Sequence, residues 1–405
     1  MTQMELPRLA SACAMLEEFA RFAEYGRTRV SSTADGVPAF ANEFWTSRQR
    51  AAHRLHEISY RACFKPQLPR FFIERLTAPG EIVYDPFMGR GTTPLEAALC
   101  GRVPFGSDLN PICTLLVRPR LAPPAWSEVE ERLGRIDLER TDLEVPEELH
   151  VFYHPRTLRQ ICALRAYLLD REAEGLRDPV DDWIRMIALN RMTGHSPGFF
   201  SVYTLPPNQA TSVTAQKRIN AKRGQAPPFR DVQAIITKKS RLLLKDPPPD
   251  PEMAGRARLM TRSAERVPEI ADGSVSLVVT SPPFLNTVDY AEDNWLRGWF
   301  CDQNTKELKL AVTGSLPQWR AFMTRAFREM RRVVKPGGWI AFEVGEVRKG
   351  RLFLENEARA AAADAGMEPT AILINEQKFT KTSQCWGVEN FQKGTNTNRI
   401  VLFQV

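Results

Sequence analysis

Apolar positions along the chain follow two periods. The run Ile82-Val83-Tyr84 ends at Asp85 and a glycine-rich turn. A segment opening on Thr92 and Thr93 then keeps helical spacing, and a second apolar run begins at Val103. Residues 81–85, 92–100 and 103–107 therefore read as strand, helix and strand, the start of a βαβ unit. The alternation resumes near Arg256. There RARLM and SVSLVVT predict strands, 317–334 a helix, WIAFEV a strand, 352–365 a helix, and TAILIN and RIVLFQV two closing strands. Such alternation predicts an α/β fold with a doubly wound, mostly parallel sheet.

Between the two stretches the period becomes helical, in HPRTLRQICALRAYLLDREAEG and DPVDDWIRMIALNRMTG. DPPPDPEMAG at 246–255 is a proline-rich return to the sheet. The organisation expected is a helical N-terminal extension over 1–55, a sheet domain formed by 56–120 and 251–405, and an inserted, mainly helical, basic domain over 121–250.

Composition narrows the class. Of 405 residues, 43% are hydrophobic and 25% charged, ordinary values for a globular protein. No apolar run reaches membrane-spanning length, which predicts no membrane association. The first 26 residues place Glu17 and Glu18 within an apolar pattern, an amphipathic helix and not a signal peptide. The seven cysteines are odd in number and never spaced CxxC, which argues for reduced thiols in a cytoplasm and against a zinc site. His150 and His154 lie four apart, but Pro155 follows and no third ligand is near, so no metal is expected. The net charge of +7 suits a polyanionic partner, and its distribution says more. From Lys217 to Lys245 lie Lys217, Arg218, Lys222, Arg223, Arg230, Lys238, Lys239, Arg241 and Lys245 against Asp231 alone. Such a block would neutralise phosphates. Tyr203, Asn208 and Gln209 just before it are of types that read base edges, with a solvated helix face as the bland alternative.

Two turns carry candidate chemistry. Asp85 ends a strand and Phe87-Met88-Gly89-Arg90-Gly91 turns into a helix, where glycines let backbone approach a ligand. Asp108, 17 residues beyond Gly91, ends the next strand, where a carboxylate can accept ribose hydroxyls. The absence of GxGxxG and of GK[ST] disfavours nicotinamide cofactors and P-loop nucleotides. The second turn is Ser281-Pro282-Pro283-Phe284, directly after an apolar strand. Consecutive prolines stiffen the chain and remove two backbone donors. The Ser281 hydroxyl and the Pro282 carbonyl could then accept an amino group's hydrogens while Phe284 offers a stacking face.

Together these segments resemble the DNA amino-methyltransferases that modify cytosine N4 or adenine N6. Asp85 through Thr93 matches that family's DPFxGxGTT cofactor loop, and 281–284 matches its [DNS]PP[YFW] tetrapeptide. FKPQLPRFFIERLT at 64–77 is similar to the cofactor-flanking segment, with Lys65 and Pro66 near the methionine end of S-adenosylmethionine (SAM). GSDLNP at 106–111 resembles the ribose segment, and 331–347 the helix, turn and strand beyond the tetrapeptide. The resemblance implies a Rossmann-like SAM-dependent methyltransferase sheet interrupted by the helical insertion. It implies SAM as cofactor, held by Lys65, Pro66, Asp85, Phe87, Gly89, Gly91, Thr92, Thr93, Asp108 and Asn110, and Ser281, Pro282, Pro283 and Phe284 as catalytic residues. Double-stranded DNA is the implied substrate and a cognate restriction endonuclease the implied partner. Serine at the first tetrapeptide position accompanies cytosine N4 in this family. Adenine N6 and an RNA substrate are the alternatives, and a catalytically silent DNA-binding protein is the rival from another class. The cofactor loop precedes the tetrapeptide, so the order is not the permuted one. One departure is Thr261-Arg262-Ser263, with Arg262 where the family often has Asp near the SAM adenine. The long stretch between the last two strands, with Thr380, Lys381, Asn396, Asn398 and Arg399, could touch the base or its phosphates, with a plain structural loop as the alternative.

Overall fold

The computed structural model describes residues 5–45, 52–61, 63–205, 209–283, 290–305, 315–344, 346–347, 352–376 and 398–405. Nine strands form one sheet: β1 (Arg29–Ser32), β2 (Pro38–Asn42), β3 (Ile82–Asp85), β4 (Val103–Asp108), β5 (Arg258–Thr261), β6 (Val275–Thr280), β7 (Val334–Val344), β10 (Ala371–Asn375) and β11 (Asn398–Gln404). Two-residue strands β8 (Glu346–Val347) and β9 (Leu352–Phe353) pair separately. The sheet order is β1-β2-β10-β11-β7-β6-β3-β4-β5. Strands β5, β4, β3, β6 and β7 are mutually parallel, β11 runs against β7 and β10, and β10 is parallel to β2. The expected doubly wound sheet is present.

Both sheet faces are buried, which is why its strands read as continuous apolar runs. Val278, Ile340, Val401 and Phe403 join one core, with helices α13 (Leu316–Val333) and α14 (Leu354–Ala363) packed on it. The alternate residues Leu277, Val279, Ala341, Ile400 and Leu402 join another, beneath α1 (Glu5–Arg21) and α2 (Gln67–Leu76). On α13 the buried Trp319, Phe322, Met323, Ala326, Phe327, Met330 and Val333 keep three- and four-residue spacing, an apolar stripe of helical period.

Helix α3 (Thr92–Leu99) links β3 to β4, and α4 (Pro111–Leu121) leaves β4. Then come α5 (Trp126–Arg135), α6 (Pro155–Ala173), α7 (Pro179–Arg191), α8 (Val213–Arg223), α9 (Val232–Leu243) and α10 (Pro251–Gly255), which leads into β5. The helices over 111–243 share a continuous core with Leu95 of α3. Short helices α11 (Tyr290–Asp293) and α12 (Trp295–Phe300), which follow β6 in sequence, pack into that core through Leu296 and Phe300. The Arg297 guanidinium donates to the carbonyls of Ser59 at 2.9 Å and Leu189 at 3.3 Å.

One expectation is corrected. Residues 1–55 are helical in α1 but also supply β1 and β2, which lengthen the sheet at the β10 edge. The sequence 38–42 is too short to show a period, and what stabilises it is pairing with a strand more than 300 residues away. Among the described residues no helix is long and apolar enough to cross a membrane, and no group of His, Cys, Asp and Glu could hold a metal ion.

Candidate active site

The strand order reverses between β3 and β6, since the chain runs from β3 outward to β4 and β5 and returns to β6 on the other side. Ligands in open α/β sheets sit at the carboxyl ends of strands at such a switch point. Both sequence-predicted turns lie there. The Asp85–Gly91 turn follows β3 and the Ser281–Pro283 turn follows β6, and β3 and β6 are paired neighbours. Two side-chain bonds tie the turns together. The Thr280 hydroxyl donates to Asp85 Oδ1 at 2.6 Å, and the Thr93 hydroxyl donates to the Val279 carbonyl at 3.0 Å. A cleft of about 790 Å³, open mouth included, separates them, with Phe87, Gly89, Asp108, Ser281 and Pro283 on its walls.

The glycine turn is built for close approach. Gly89 and Gly91 have φ of 47° and 73°, in the region that L side chains avoid. A Cβ on Gly91 would lie 2.3 Å from Val117 Cγ2 on α4. Gly91→Ala should therefore combine backbone strain with overpacking. We expect about 3 kcal/mol of lost stability, read as a lower denaturant midpoint, together with a misshapen cleft. An unchanged midpoint would refute the packing argument.

The carboxylate at the end of β4 is held by backbone. Asp108 Oδ2 accepts from the Gly89 amide and Oδ1 from the Asn110 amide, each at 2.9 Å. A carboxylate has about four acceptor sites, so its fixed oxygens can still receive hydroxyls from a ligand. Burial pushes this carboxyl above its usual range. Asn110 is itself buried: its Oδ1 caps α4 by accepting from the Ile112 amide at 3.1 Å, and its Nδ2 donates to the Tyr60 hydroxyl at 3.2 Å. Asp85 is fully enclosed, and burial raises its pKa to about 7 while the Thr280 hydroxyl and the Phe87 amide favour the charged form. Thr92 lines the cleft, whereas Thr93 is buried behind it. Lys65 is exposed and Pro66 caps α2, and the wall beside them is formed by Cys63 and Phe64.

At the end of β6 Ser281 and Pro283 line the cleft and Pro282 is buried beside them; Phe284 lies outside the described residues. The Pro283 carbonyl accepts from the Trp319 indole at 2.9 Å, which pins the turn to α13. Ser281 hydrogen-bonds the carboxyl of Glu343, a buried residue of β7 whose pKa burial raises to about 7. Sequence reasoning did not single out Glu343. Its signal was present: a lone acid inside the apolar strand WIAFEV, which would not be buried without a task or a partner. Tyr60 and Tyr290, with rings 6.2 Å apart at 19°, also line the cleft, and nothing in their spacing marked them.

The nucleic-acid candidates are spread more widely. Lys217, Arg218, Lys222 and Arg223 are exposed on α8 and form no ion pair among the described residues. Arg223 lies over the Tyr203 ring at 3.8 Å, and Tyr203 is 40% exposed. Gln209 is half-buried, and Asn208 and Asn396 lie outside the described residues. The Arg230 backbone is tied to the Thr157 hydroxyl, and Lys239 is buried against Glu57 at 3.0 Å. Arg399 makes two bonds of 2.8 Å to Glu355 on α14.

Residues 26–116, which carry β1 to β4 and the glycine turn, match the family described as DNA methylase, of the N6/N4 type. The likeness to the DNA amino-methyltransferases is thus carried, in that match, by less than a quarter of the chain. The chain is 30% identical over 113 residues to the Type II methyltransferase M.MvaI of Kocuria varians, 27% of this chain and 23% of that protein. It is 35% identical over 74 residues to the Type II methyltransferase M.MjaII of Methanocaldococcus jannaschii, 18% of this chain and 14% of that protein. The matches thus cover less than a quarter of either relative's length. Among solved structures, a TehB-like SAM-dependent methyltransferase from Corynebacterium glutamicum aligns over 83% of this chain and 85% of its own, at 9% identity and a TM-score of 0.32.

Proposed function

We propose that the protein is a DNA amino-methyltransferase, which transfers a methyl group from SAM to the exocyclic amino group of a base in double-stranded DNA, cytosine N4 being the base favoured. The observation that carries the reading is the single cleft shared by the two turns, locked at its floor by the Asp85–Thr280 bond. The lining residues suit SAM. Asp108 presents oriented acceptors for a ribose diol, Gly89 admits backbone to close range, and Phe87 with Phe322 forms an apolar wall.

Bound there, SAM supplies a methyl group on a sulfonium, an electrophile attached to a good leaving group. An exocyclic amine is a weak nucleophile because its lone pair is delocalised into the ring. The Ser281 hydroxyl and the Pro282 carbonyl would accept its two hydrogens and turn that lone pair toward the cleft, a matter of positioning. The amine must shed one proton on methylation. Ser281 Oγ would take it while passing its own hydrogen to the Glu343 carboxylate, so the proton ends on a buried acid that accepts it near neutral pH. The base must first leave the helix, at a cost of a few kcal/mol. Stacking on Phe284 would return on the order of 1–3 kcal/mol. Serine at position 281 supports cytosine, and the Type II relatives support a place beside a restriction endonuclease.

Helix α8 is the surface proposed to follow the phosphates. The chain before it is bound to α11 and α12: the Ala210 amide donates to the Asp293 carbonyl at 2.9 Å and the Trp295 indole to the Thr211 carbonyl at 3.1 Å. That anchoring places α8 next to the elements that carry Tyr290 to the cleft. Replacing Lys217, Arg218, Lys222 and Arg223 by Gln should weaken DNA binding alike for all sequences. It should also reduce the slope of log affinity against log salt by up to about 4. An unchanged slope would remove α8 from the interface.

The reading as a whole is tested by mapping modified bases in the DNA of cells expressing the protein, with detection that separates N4-methylcytosine from N6-methyladenine. N4-methylcytosine at one short motif is expected. N6-methyladenine would transfer the assignment to the second base, and DNA free of both would overturn it.

A further inference from the structure

We propose that Tyr203, backed by the Arg223 guanidinium, is a stacking platform for a DNA base that has lost its pairing partner. The inference rests on the reading of the protein as a DNA methyltransferase, since extruding one base leaves the opposite base unpaired.

Exposed apolar side chains scattered singly are ordinary, so it is their clustering that asks for a reason. Among the described residues the exposed large apolar side chains are Val30, Leu176, Tyr203, Leu205 and Phe229, and the last three flank α8 in the chain. The Tyr203 ring is 40% exposed, and Arg223, the last residue of α8, lies over it at 3.8 Å. The backbone beneath is held on both sides. The Tyr203 carbonyl accepts from the side-chain amides of Gln216 and Gln225, each at 3.0 Å, and Gln225 Oε1 accepts from Arg223 Nε at 3.2 Å. The Val202 amide donates to the Phe152 carbonyl at 2.9 Å, and the Thr204 amide to the Gly194 carbonyl at 3.0 Å. Ring and guanidinium are therefore stacked before any ligand arrives, which lowers the ordering cost of binding.

Charge says what such a face would meet. Lys217, Arg218, Lys222 and Arg223 present exposed cations along α8, so the partner that suits this surface is a polyanion. Within a closed duplex both faces of each base are covered by neighbours, and a protein ring can stack only where that column is broken. Base extrusion makes such a break. With the guanidinium on one face of Tyr203, the unpaired base takes the other, and the cation strengthens the stack. The chain beyond Tyr203 leads toward the cleft, because Ala210 and Thr211 are bonded to Asp293 and Trp295 of α11 and α12. Phe229 is the rival platform. Its own cation, Arg156 at 4.9 Å, is paired with Glu139 at 3.0 Å and brings no free charge to a strand.

The test is fluorescence anisotropy of the full chain with three short duplexes of one sequence. One is fully paired, one has an abasic site facing an unpaired base, and one is abasic on both strands at that position. The wild type should prefer the second over the third by about fivefold or more, as expected for one stacked base. Tyr203→Phe should keep that preference, and its loss there overturns the platform. Tyr203→Leu should abolish the preference and leave the affinity for the paired duplex unchanged. With 2-aminopurine as the unpaired base, binding to the wild type should quench its fluorescence and binding to Tyr203→Leu should not. A preference kept in Tyr203→Leu overturns the proposal, since the unpaired base is then held elsewhere, the catalytic cleft included. An equal loss for all three duplexes also overturns it and makes Tyr203 a contact to closed DNA. Should Tyr203→Leu fail to fold, Arg223→Gln decides, because the ratio of the second to the third duplex cancels any phosphate contact. A reduced ratio supports the platform and a wild-type ratio overturns it. A wild type without preference overturns the platform and leaves methyl transfer standing, whereas one that binds none of the duplexes refutes the DNA reading itself.

Discussion

Ser281→Ala is expected to bind SAM and DNA with wild-type affinity and to lose turnover by about 100-fold or more. The size follows from what the hydroxyl would do. It would orient the amine by accepting one hydrogen, and it joins that amine to the buried Glu343 carboxyl. Alanine removes both functions and leaves the sheet, the glycine turn and the Trp319 anchor on Pro283 in place. Affinity should therefore be spared while the rate falls, since only an interaction made during reaction has been removed. Single-turnover rates at saturating SAM and DNA check this. A rate within a few-fold of wild type would exclude Ser281 from the chemistry.

The second large effect is at Glu343. Burial raises its pKa to about 7, with the Ser281 hydrogen bond acting in the opposite sense. In the proposed mechanism the charged form would be the proton acceptor, so the single-turnover rate should rise about tenfold per pH unit below 7 and level off above it. Glu343→Gln keeps the shape and a hydrogen bond to Ser281 but cannot take a proton. It should lower the plateau by about 100-fold and abolish the rise. Asp85 also titrates near 7, but it bonds Thr280 and the Phe87 amide at the base of the cofactor turn. Its protonation should therefore appear in SAM affinity and not in the rate at saturation. A Glu343→Gln enzyme with an unaltered pH profile would mean that the proton leaves by another route.

The parts of this design that show in the sequence are those set by local rules. An apolar run, a positive-φ glycine turn and a capped helix need only their own residues, so β3, α3 and β4 fall within two residues of their expected bounds. The cores of β6, β7 and β11 are legible for the same reason, because burial on both faces leaves unbroken apolar runs. What depends on distant partners does not show. β2 becomes a strand by docking on β10, with β1 paired to its other edge, and α11 with α12 joins a helical core assembled from residues 95–243. The same holds at the cleft. Asp85, Gly89, Asp108 and Ser281 sit in recognisable turns, whereas Arg61, Tyr60 and Tyr290 reach the wall through packing that no spacing encodes. The basic block is partly misleading, since the buried Lys239 is spent on an ion pair with Glu57 while α8 keeps its charges in solvent.

The most direct test supplies the purified chain with methyl-labelled SAM and equal masses of double-stranded DNA and RNA, then identifies the labelled nucleoside. The account predicts label in DNA as a nucleoside methylated on its exocyclic nitrogen, and none with Ser281→Ala. Label confined to RNA, label on a ring carbon, or no transfer by a protein that demonstrably binds SAM would contradict it.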